Sequence, residues 1–587
     1  VNVSALNQVD LFPKIAVDTN GNAAVVWYNS TNAIQGSSKP FGGAWEVEQT
    51  LSQLPIALQF WDYPAVAMDG HGNATAVWAA SSGTRLVIQA STKPFGAPWQ
   101  EHPDTLSADS GLVLAYNSPQ IAIDSNGNIT VVWATVFEGD QVVQASIKPF
   151  GEPWQPPVTI SRPGVGALYI SIAVDRNGNV TVVWFGSQGS NNVVQASTKP
   201  LGQTWQEPTT LTHAYLQAPP QIAIDSHGNA IAVWVAFDGT NHFIQSSTKL
   251  FNQAWQETPD ILPGSQNAVD IPRIGVDSMG NATVVWSDEE SPTMWPIRAS
   301  TKPFGSSWQT IPDVLFLSES FSPPQIAVDS MGNATVIWMY ASETTSAIQA
   351  STKPFGGEWQ TTPDVLSLPG QQTFPFPQIA VDGSGNATAV WSGQFEESLV
   401  IQSATKFFGL TVTSVRPTSG PKKGGNTVTI TGTNFVDVAS VYFGSTPSQS
   451  FTIESPTTIL AIVPPGKGTV DVTVTASSRT SPVTPTDLYT YRRFKGKVKH
   501  HKNKLFVKTK WNKSAATVTG YEIFARKKKI ATIPAQNKAQ ATIRLHPHHA
   551  HHEISNKYRH YVQHKYKVRA IDVDGTTSAF TFVDIHR

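Results

Sequence analysis

IAVDSMGNATVIW, residues Ile326–Trp338, decides how the chain is read, because close copies of it recur throughout the sequence before Leu410. The copies place an aspartate at Asp18, Asp69, Asp124, Asp175, Asp225, Asp277, Asp329 and Asp382, with spacings of 51, 55, 51, 50, 52, 52 and 53 residues. A period of about 50 residues without a helical pattern signals a propeller or a β-array.

Each copy has the same internal order. A β-branched run (Ile326–Val328) leads into Asp329, then Ser-Met-Gly-Asn, then a second β-rich run ending at Trp338. An aspartate can fold its carboxylate onto nearby backbone amides and a glycine takes positive φ, so D-x-x-G-N reads as a hairpin turn. A third run, Ala347–Lys353, is followed by the turn Pro354–Gly357, by Trp359 and by a fourth stretch, Pro363–Ser367. Four short antiparallel strands per repeat are the content of one propeller blade.

The ends of the array sharpen this. Seven fourth-strand segments follow Trp45, Trp99, Trp154, Trp205, Trp255, Trp308 and Trp359, whereas the eighth copy runs from its third strand (Leu399–Lys406) into FFGL with no fourth strand. At the front, Val1–Asn7 precedes the first copy where a fourth strand would lie. Donating that spare strand, with Val1, Val3 and Ala5 along it, would remove two exposed sheet edges. The expected fold is all-β: an eight-bladed β-propeller over residues 1–409, closed by the N-terminal strand and followed by two β-sandwich domains.

The composition fits several domains with a neutral surface. The chain has 587 residues, 40% hydrophobic and only 14% charged. With charge scarce, the surface is rich in hydroxyls and amides, as in extracellular β-proteins. The chain starts at Val1 rather than at methionine, so an export signal is expected to have been removed. No apolar run approaches the ~18 residues of a membrane span. The absence of cysteine rules out disulfides, thiolate metal sites and cysteine nucleophiles. The net charge of −1 hides a split: residues 492–587 carry 22 basic and five acidic residues (+17), and residues 1–491 carry 19 and 37 (−18). Opposed charges at the two ends of a chain are a candidate for partner contact.

From Leu410 the pattern changes. Pro417–Gly425 (P-x-x-G-x-x-x-G-G), Ile430–Phe435 (I-x-G-x-x-F) and Val441–Gly444 (V-x-F-G) punctuate a set of Val/Thr strands. Residues 410–491 therefore resemble the immunoglobulin-like IPT/TIG domain, which implies a small sandwich and says little about ligand. In residues 492–587 an early Trp511, the strand Gly520–Phe524 and the strand and turn Tyr566–Ser578 resemble a fibronectin type III domain, with a heavy lysine load and an inserted HPHHAHHE (His546–Glu553). The D-x-x-G-N-A-T-V-V-W repeat itself resembles bacterial propeller repeats of exported proteins.

Chemistry-bearing residues have a structural reading beside each functional one. The eight aspartates could suggest calcium, but each turn offers a single acid where a calcium loop needs several, so they are read as turn formers. N-x-T sequons at Asn73, Asn128, Asn179, Asn281, Asn333 and Asn386 fall in the same turns. Fifteen of 18 tryptophans occupy two fixed repeat positions, which points to packing between blades; Trp61 and Trp295 lie outside that pattern and are candidates for an exposed contact. His546, His548, His549, His551 and His552 are candidate metal ligands, since clustered imidazoles bind zinc, nickel or copper. Arg526, Lys527, Lys528 and Lys529 form a candidate interaction patch for acidic glycans or envelope polymers. No nucleic-acid partner is expected, because no recognition motif accompanies the charge.

No G-x-S-x-G, H-E-x-x-H or P-loop occurs. Near-identical repeats also argue for a scaffold, since an active site breaks symmetry. The expectation is thus an extracellular or cell-surface structural and interaction protein that is no enzyme and takes no cofactor. It is expected to assemble head to tail as a homo-oligomer or filament, the basic end on the acidic propeller. A lectin-like adhesin is the alternative, and a polysaccharide hydrolase the third.

Overall fold

The computed structural model describes residues 1–582 except 7, 57–62, 84, 108–111, 114–117, 189–190, 214, 217–218, 269–270, 292, 343–344, 407–409, 434, 436–437, 456, 477–478, 482, 493–494, 502–503, 511–517, 526–527, 535–565 and 573–580. The described residues are all-β, and none of their elements is a helix able to cross a membrane. The chain divides into two units, Val1–Lys406 and Phe407–Arg587.

The first unit is built from successive antiparallel sheets, each one sequence repeat. The first has strands Asp10–Val17, Ala23–Asn29, Ala33–Lys39 and Gln49–Thr50 in chain order. Six more sheets follow the same order, those of repeats three and five gaining a short extra strand, and the eighth has three strands, Gln378–Val381, Ala387–Phe395 and Ser398–Lys406. Second strands such as Ala23–Asn29 are buried along their whole length. They read as unbroken apolar runs because both of their faces meet a neighbouring sheet. Trp27, Trp78, Trp133, Trp184, Trp234, Trp286 and Trp338 are among the largest fully buried side chains. Each such ring removes roughly 150–250 Å² from water.

The first strands lie side by side in sequence order, and Gln378–Val381 of the last sheet lies beside Asp10–Val17 of the first. The D-x-x-G-N turns join the first and second strands and bond to one another: Ser226 Oγ donates to Ser278 O (2.6 Å), and Gly383 N of the last repeat donates to Thr19 O of the first (3.1 Å). The N-terminal residues lie along Ser398–Lys406. Val3 N donates to Ile401 O (2.7 Å), Ser403 N donates to Val1 O (2.8 Å), and Ile401 N donates to Ser4 Oγ (2.9 Å). Val3 is buried among Val25, Trp27, Val390 and Ile401, whereas Ala5 is exposed. The arrangement is propeller-like.

In the second unit, residues 410–491 form a sandwich. One sheet orders Thr411–Arg416, Thr427–Thr433, Thr458–Ile462 and Ser450–Ser455; the other is built on Leu488–Arg492, Gly468–Ala476 and Val438–Phe443. Val412, Ile430, Phe443, Val474 and Tyr489 fill the space between them. Beyond it, Lys495–His501 pairs with Lys504–Lys510, and Val518–Ala525 pairs with Lys528–Pro534 and Tyr566–Asp572.

Candidate functional site

The repeat aspartates work inside their turns. Asp329 Oδ1 accepts from the amides of Met331 (2.9 Å) and Asn333 (2.8 Å), and Oδ2 accepts from Asn333 Nδ2 (2.7 Å). Asn333 Oδ1 in turn accepts from the amide of Phe355 (2.9 Å), tying the turn to the Pro354–Gly357 reversal. Gly332 has φ +89°, and a Cβ there would meet Phe355 Cδ2 at 2.6 Å and Asp277 Oδ2 of the preceding repeat at 2.8 Å. Among the described residues no three His, Asp or Glu side chains gather as a metal site.

Of the residues singled out from sequence, Trp295 opens the strand Trp295–Lys302 and packs edge-on against Phe321, ring centres 5.5 Å apart. Lys528 and Lys529 lie in the strand Lys528–Pro534. Trp61, Arg526, Lys527, His546, His548, His549, His551 and His552 fall outside the described residues.

The repeats are not equivalent where one sheet meets the next. The lysine ending a third strand reaches an acid of the preceding repeat in four cases: Lys93–Glu46 (3.2 Å), Lys302–Asp260 (2.8 Å), Lys353–Asp313 (3.5 Å) and Lys406–Asp364 (2.6 Å). At the third and fourth repeats the fourth strands read Val158–Thr159 and Thr209–His213, with no acid to meet Lys199 and Lys249. Burial lowers the pKa of both lysines. Beside Lys249 the seam between the fourth and fifth sheets opens into a groove of about 440 Å³, lined by Thr198, Gln206, Thr209, Thr210, Gln253 and Trp255, together with Glu207 and Glu257. That size lies within the roughly 300–1,000 Å³ of small-molecule sites.

A second cluster occupies the space within the first strands. Lys14 Nζ donates to Gln378 Oε1 (3.2 Å) and lies 5.5 Å from the centre of the Tyr63 ring. Tyr63 packs against Phe12 (4.6 Å) and Phe376 (6.3 Å). Phe12 and Phe376 have φ of 57° and 73°, unusual for bulky residues and a form of strain that gathers at functional sites. Burial, and then the positive charge of Arg273, lower the pKa of Lys14 to about 7, while burial raises that of Tyr63 to about 12. Arg273 belongs to the sixth sheet, which is not adjacent to the first. Lys14, Gln120, Gln221, Arg273, Gln325 and Gln378 share one register position, each opposite an aliphatic residue of its second strand.

This position, four residues before each repeat aspartate, reads Lys, Ala, Gln, Ser, Gln, Arg, Gln, Gln along the chain. A polar column in an otherwise apolar strand was the available signal, as were the aromatic–proline pairs Phe12–Pro13, Tyr63–Pro64 and Phe376–Pro377.

No curated protein matches the chain in sequence. Among solved structures, the BP39L lectin of Burkholderia pseudomallei is similar at 11% identity and a TM-score of 0.46, over 62% of this chain and 100% of the lectin. A variant of the NanB sialidase of Streptococcus pneumoniae is similar at 10% identity and a TM-score of 0.33, over 69% and 94%. A PL25 ulvan lyase is similar at 12% identity and a TM-score of 0.36, over 68% and 97%. The expectation that the chain is no enzyme is corrected here, since a sialidase and a lyase stand among the propeller neighbours beside a lectin. The argument from repeat symmetry also fails on the chain's own residues, because the seam lysine meets an acid in some repeats and faces a fourth strand without one in others. Residues 410–491 match the IPT/TIG domain family and form such a domain.

Proposed function

We propose that this is an exported, surface or extracellular carbohydrate-recognising protein whose sugar sites lie in the grooves between neighbouring sheets. The observation that carries the reading is the groove at the seam of the fourth and fifth sheets. Trp255 supplies an aromatic wall, Gln206 and Gln253 supply amides, Thr198, Thr209 and Thr210 supply hydroxyls, and Lys249 has no carboxylate on the strand facing it. A pocket with an aromatic surface and a few convergent polar groups is the form that small polar ligands select. In this reading the eight sheets are the blades of one closed propeller over residues 1–409, and pairing of Val1 and Val3 with Ser398–Lys406 completes the eighth blade. Residues 410–491 act as a spacer, and residues 492–587, a basic domain of fibronectin type III kind, hold the protein to an acidic polymer.

The test is a glycan array probed with the full chain and with Lys249→Ala. Selective binding that falls at least about tenfold in the variant is expected; a blank array, or equal binding by both proteins, overturns the reading. Assaying the bound glycans for newly released reducing ends shows whether recognition leads on to cleavage.

The split of charge supports a second reading for assembly, in which the +17 end of one copy docks on the −18 remainder of another. Surface charges are screened over about 8–10 Å at physiological salt. Light scattering by the full chain is expected to fall as salt is raised, and constant scattering removes this contact.

A further inference from the structure

We infer that the groove between the fourth and fifth sheets is a socket for a carboxylate-bearing sugar, whose acid group meets Lys249, Gln206 and Trp255 where other seams carry an aspartate of their own. The inference rests on the reading of this groove as a sugar site and names the class of sugar.

The chain supplies its own template. One register position of the fourth strands holds Asp104, Asp260, Asp313 and Asp364, opposite Ala90, Ser246, Ala299 and Ala350 of the third strands. Asp313 shows the full set of contacts: Oδ2 accepts from Lys353 Nζ (3.5 Å) and Trp359 Nε1 (3.1 Å) of the next repeat, and Oδ1 accepts from Gln309 Nε2 (3.1 Å) of its own. Asp260 accepts from Lys302 Nζ (2.8 Å) and Gln256 Nε2 (2.8 Å), Asp364 from Lys406 Nζ (2.6 Å) and Gln360 Nε2 (3.0 Å), and Asp104 from Trp154 Nε1 (3.2 Å). In the first sheet the position is Gln49, and Glu46, the residue after the turn tryptophan, meets Lys93 instead (3.2 Å).

In the fourth sheet the position is Thr209, opposite Ala196, and the residue after the turn tryptophan is Gln206. The acid is gone, yet the counterparts of all three donors remain, since Gln206, Lys249 and Trp255 line one groove with Thr209. The groove's own acids do not take the place: Glu207 pairs with Arg162 (3.4 Å) and Glu257 is exposed. A partly buried cation without a counter-charge is unfavourable, so a ligand carboxylate would gain here the charge-assisted bonds that Asp313 makes at its own seam. Thr198, Thr210 and Gln253 line the rest of the groove, and their hydroxyls and amide can both donate to and accept from sugar hydroxyls. An acidic amino-acid side chain would leave them unused, and a neutral sugar would leave Lys249 unmatched.

The experiment is isothermal titration of the full chain with sodium galacturonate, galactose and butyrate, repeated on Thr209→Asp and Lys249→Ala. Thr209→Asp restores the residue that four sheets carry at this position, so it is expected to fold, which a thermal melt checks, and to fill the socket from within. Saturable galacturonate binding is expected, at least about tenfold tighter than galactose or butyrate, and weakened at least about tenfold in both variants. Undiminished galacturonate binding in folded Thr209→Asp overturns the inference, by placing the carboxylate elsewhere. Equal affinity for butyrate overturns it in favour of an acidic side chain. Equal affinity for galactose, lost in Lys249→Ala, overturns it while leaving the groove a site for neutral sugars. No saturable binding of either sugar also overturns it, and a glycan-array signal that depends on Lys249 then shows that the reading of the groove still stands.

Discussion

At the scale of single residues, two ionisable groups are held at odds with their surroundings. Asp10 is fully buried, and neither carboxylate oxygen has a hydrogen bond of normal geometry. Burial raises its pKa to about 6, with Ser4 and Trp27 lowering it only in part. Ser4 Oγ accepts from Ile401 N, which leaves its own hydroxyl proton for the acid, whereas the single N–H of the Trp27 indole donates to Gln35. A folded-state pKa above the unfolded value means that stability is fully present below about pH 4 and lost as pH rises through 6. Asp10→Asn is therefore expected to stabilise the protein by about 1–3 kcal/mol at pH 8 and to have little effect at pH 3.5, read from denaturant melts at the two pH values. Lys14 has the opposite sign. Its folded pKa of about 7 lies below the ordinary 10.5. The unfolded chain thus binds more protons between these values, and stability rises with pH across that window. Lys14→Gln should raise the melting temperature by about 2–4 °C at pH 7, with a smaller gain at pH 10. A residue that lowers stability and is replaceable by its counterparts in other repeats fits one kept for binding.

At the scale of the element, the hairpin turn is where sequence and structure agree most closely. Asp, Gly and Asn at fixed offsets contain nearly all of the local geometry, because the carboxylate, the positive φ and the amide each act within five residues. The same geometry speaks to the sequons. The Nδ2 atoms of Asn73, Asn128, Asn179, Asn281, Asn333 and Asn386 each donate to the carboxylate of their own turn at 2.7–2.8 Å. A glycan on that nitrogen would take one of its two hydrogens and crowd the bond that shapes the hairpin. Expression in a glycosylating host is expected to leave the intact mass unchanged at these six positions, and a hexose-bearing mass would contradict the turn geometry. Other features were not legible in this way. Lys14 and Gln378 stand 364 positions apart in the chain, and nothing local tells that their side chains meet. The unmatched Lys249 is visible only when Thr209 is known to face it, because every repeat ends its third strand in the same lysine.

At the scale of the whole first unit, the four-strand repeat and the missing last strand were legible by counting. The seams were not, because they depend on which side chains of two repeats meet. The pairing of Val1–Ser4 with Ser398–Lys406 can be tested directly. Deleting residues 1–5 removes the buried Val3 and the hydrogen bonds around it, a loss of roughly 3–5 kcal/mol from one buried aliphatic side chain and several paired amides. The deletion should lower the melting temperature and raise hydrogen exchange at Ile401 and Ser403 first. Unchanged exchange there would mean that the eighth sheet does not depend on those residues.

One mechanical property follows from where the N-terminal residues lie. They grip Ser398–Lys406, the last strand before the chain passes on to the IPT/TIG domain. Tension applied through the downstream domains would therefore reach this zipper before the earlier sheets, and would load its hydrogen bonds along the strand direction, in shear. The protein carries its clasp at the point where a tether would pull.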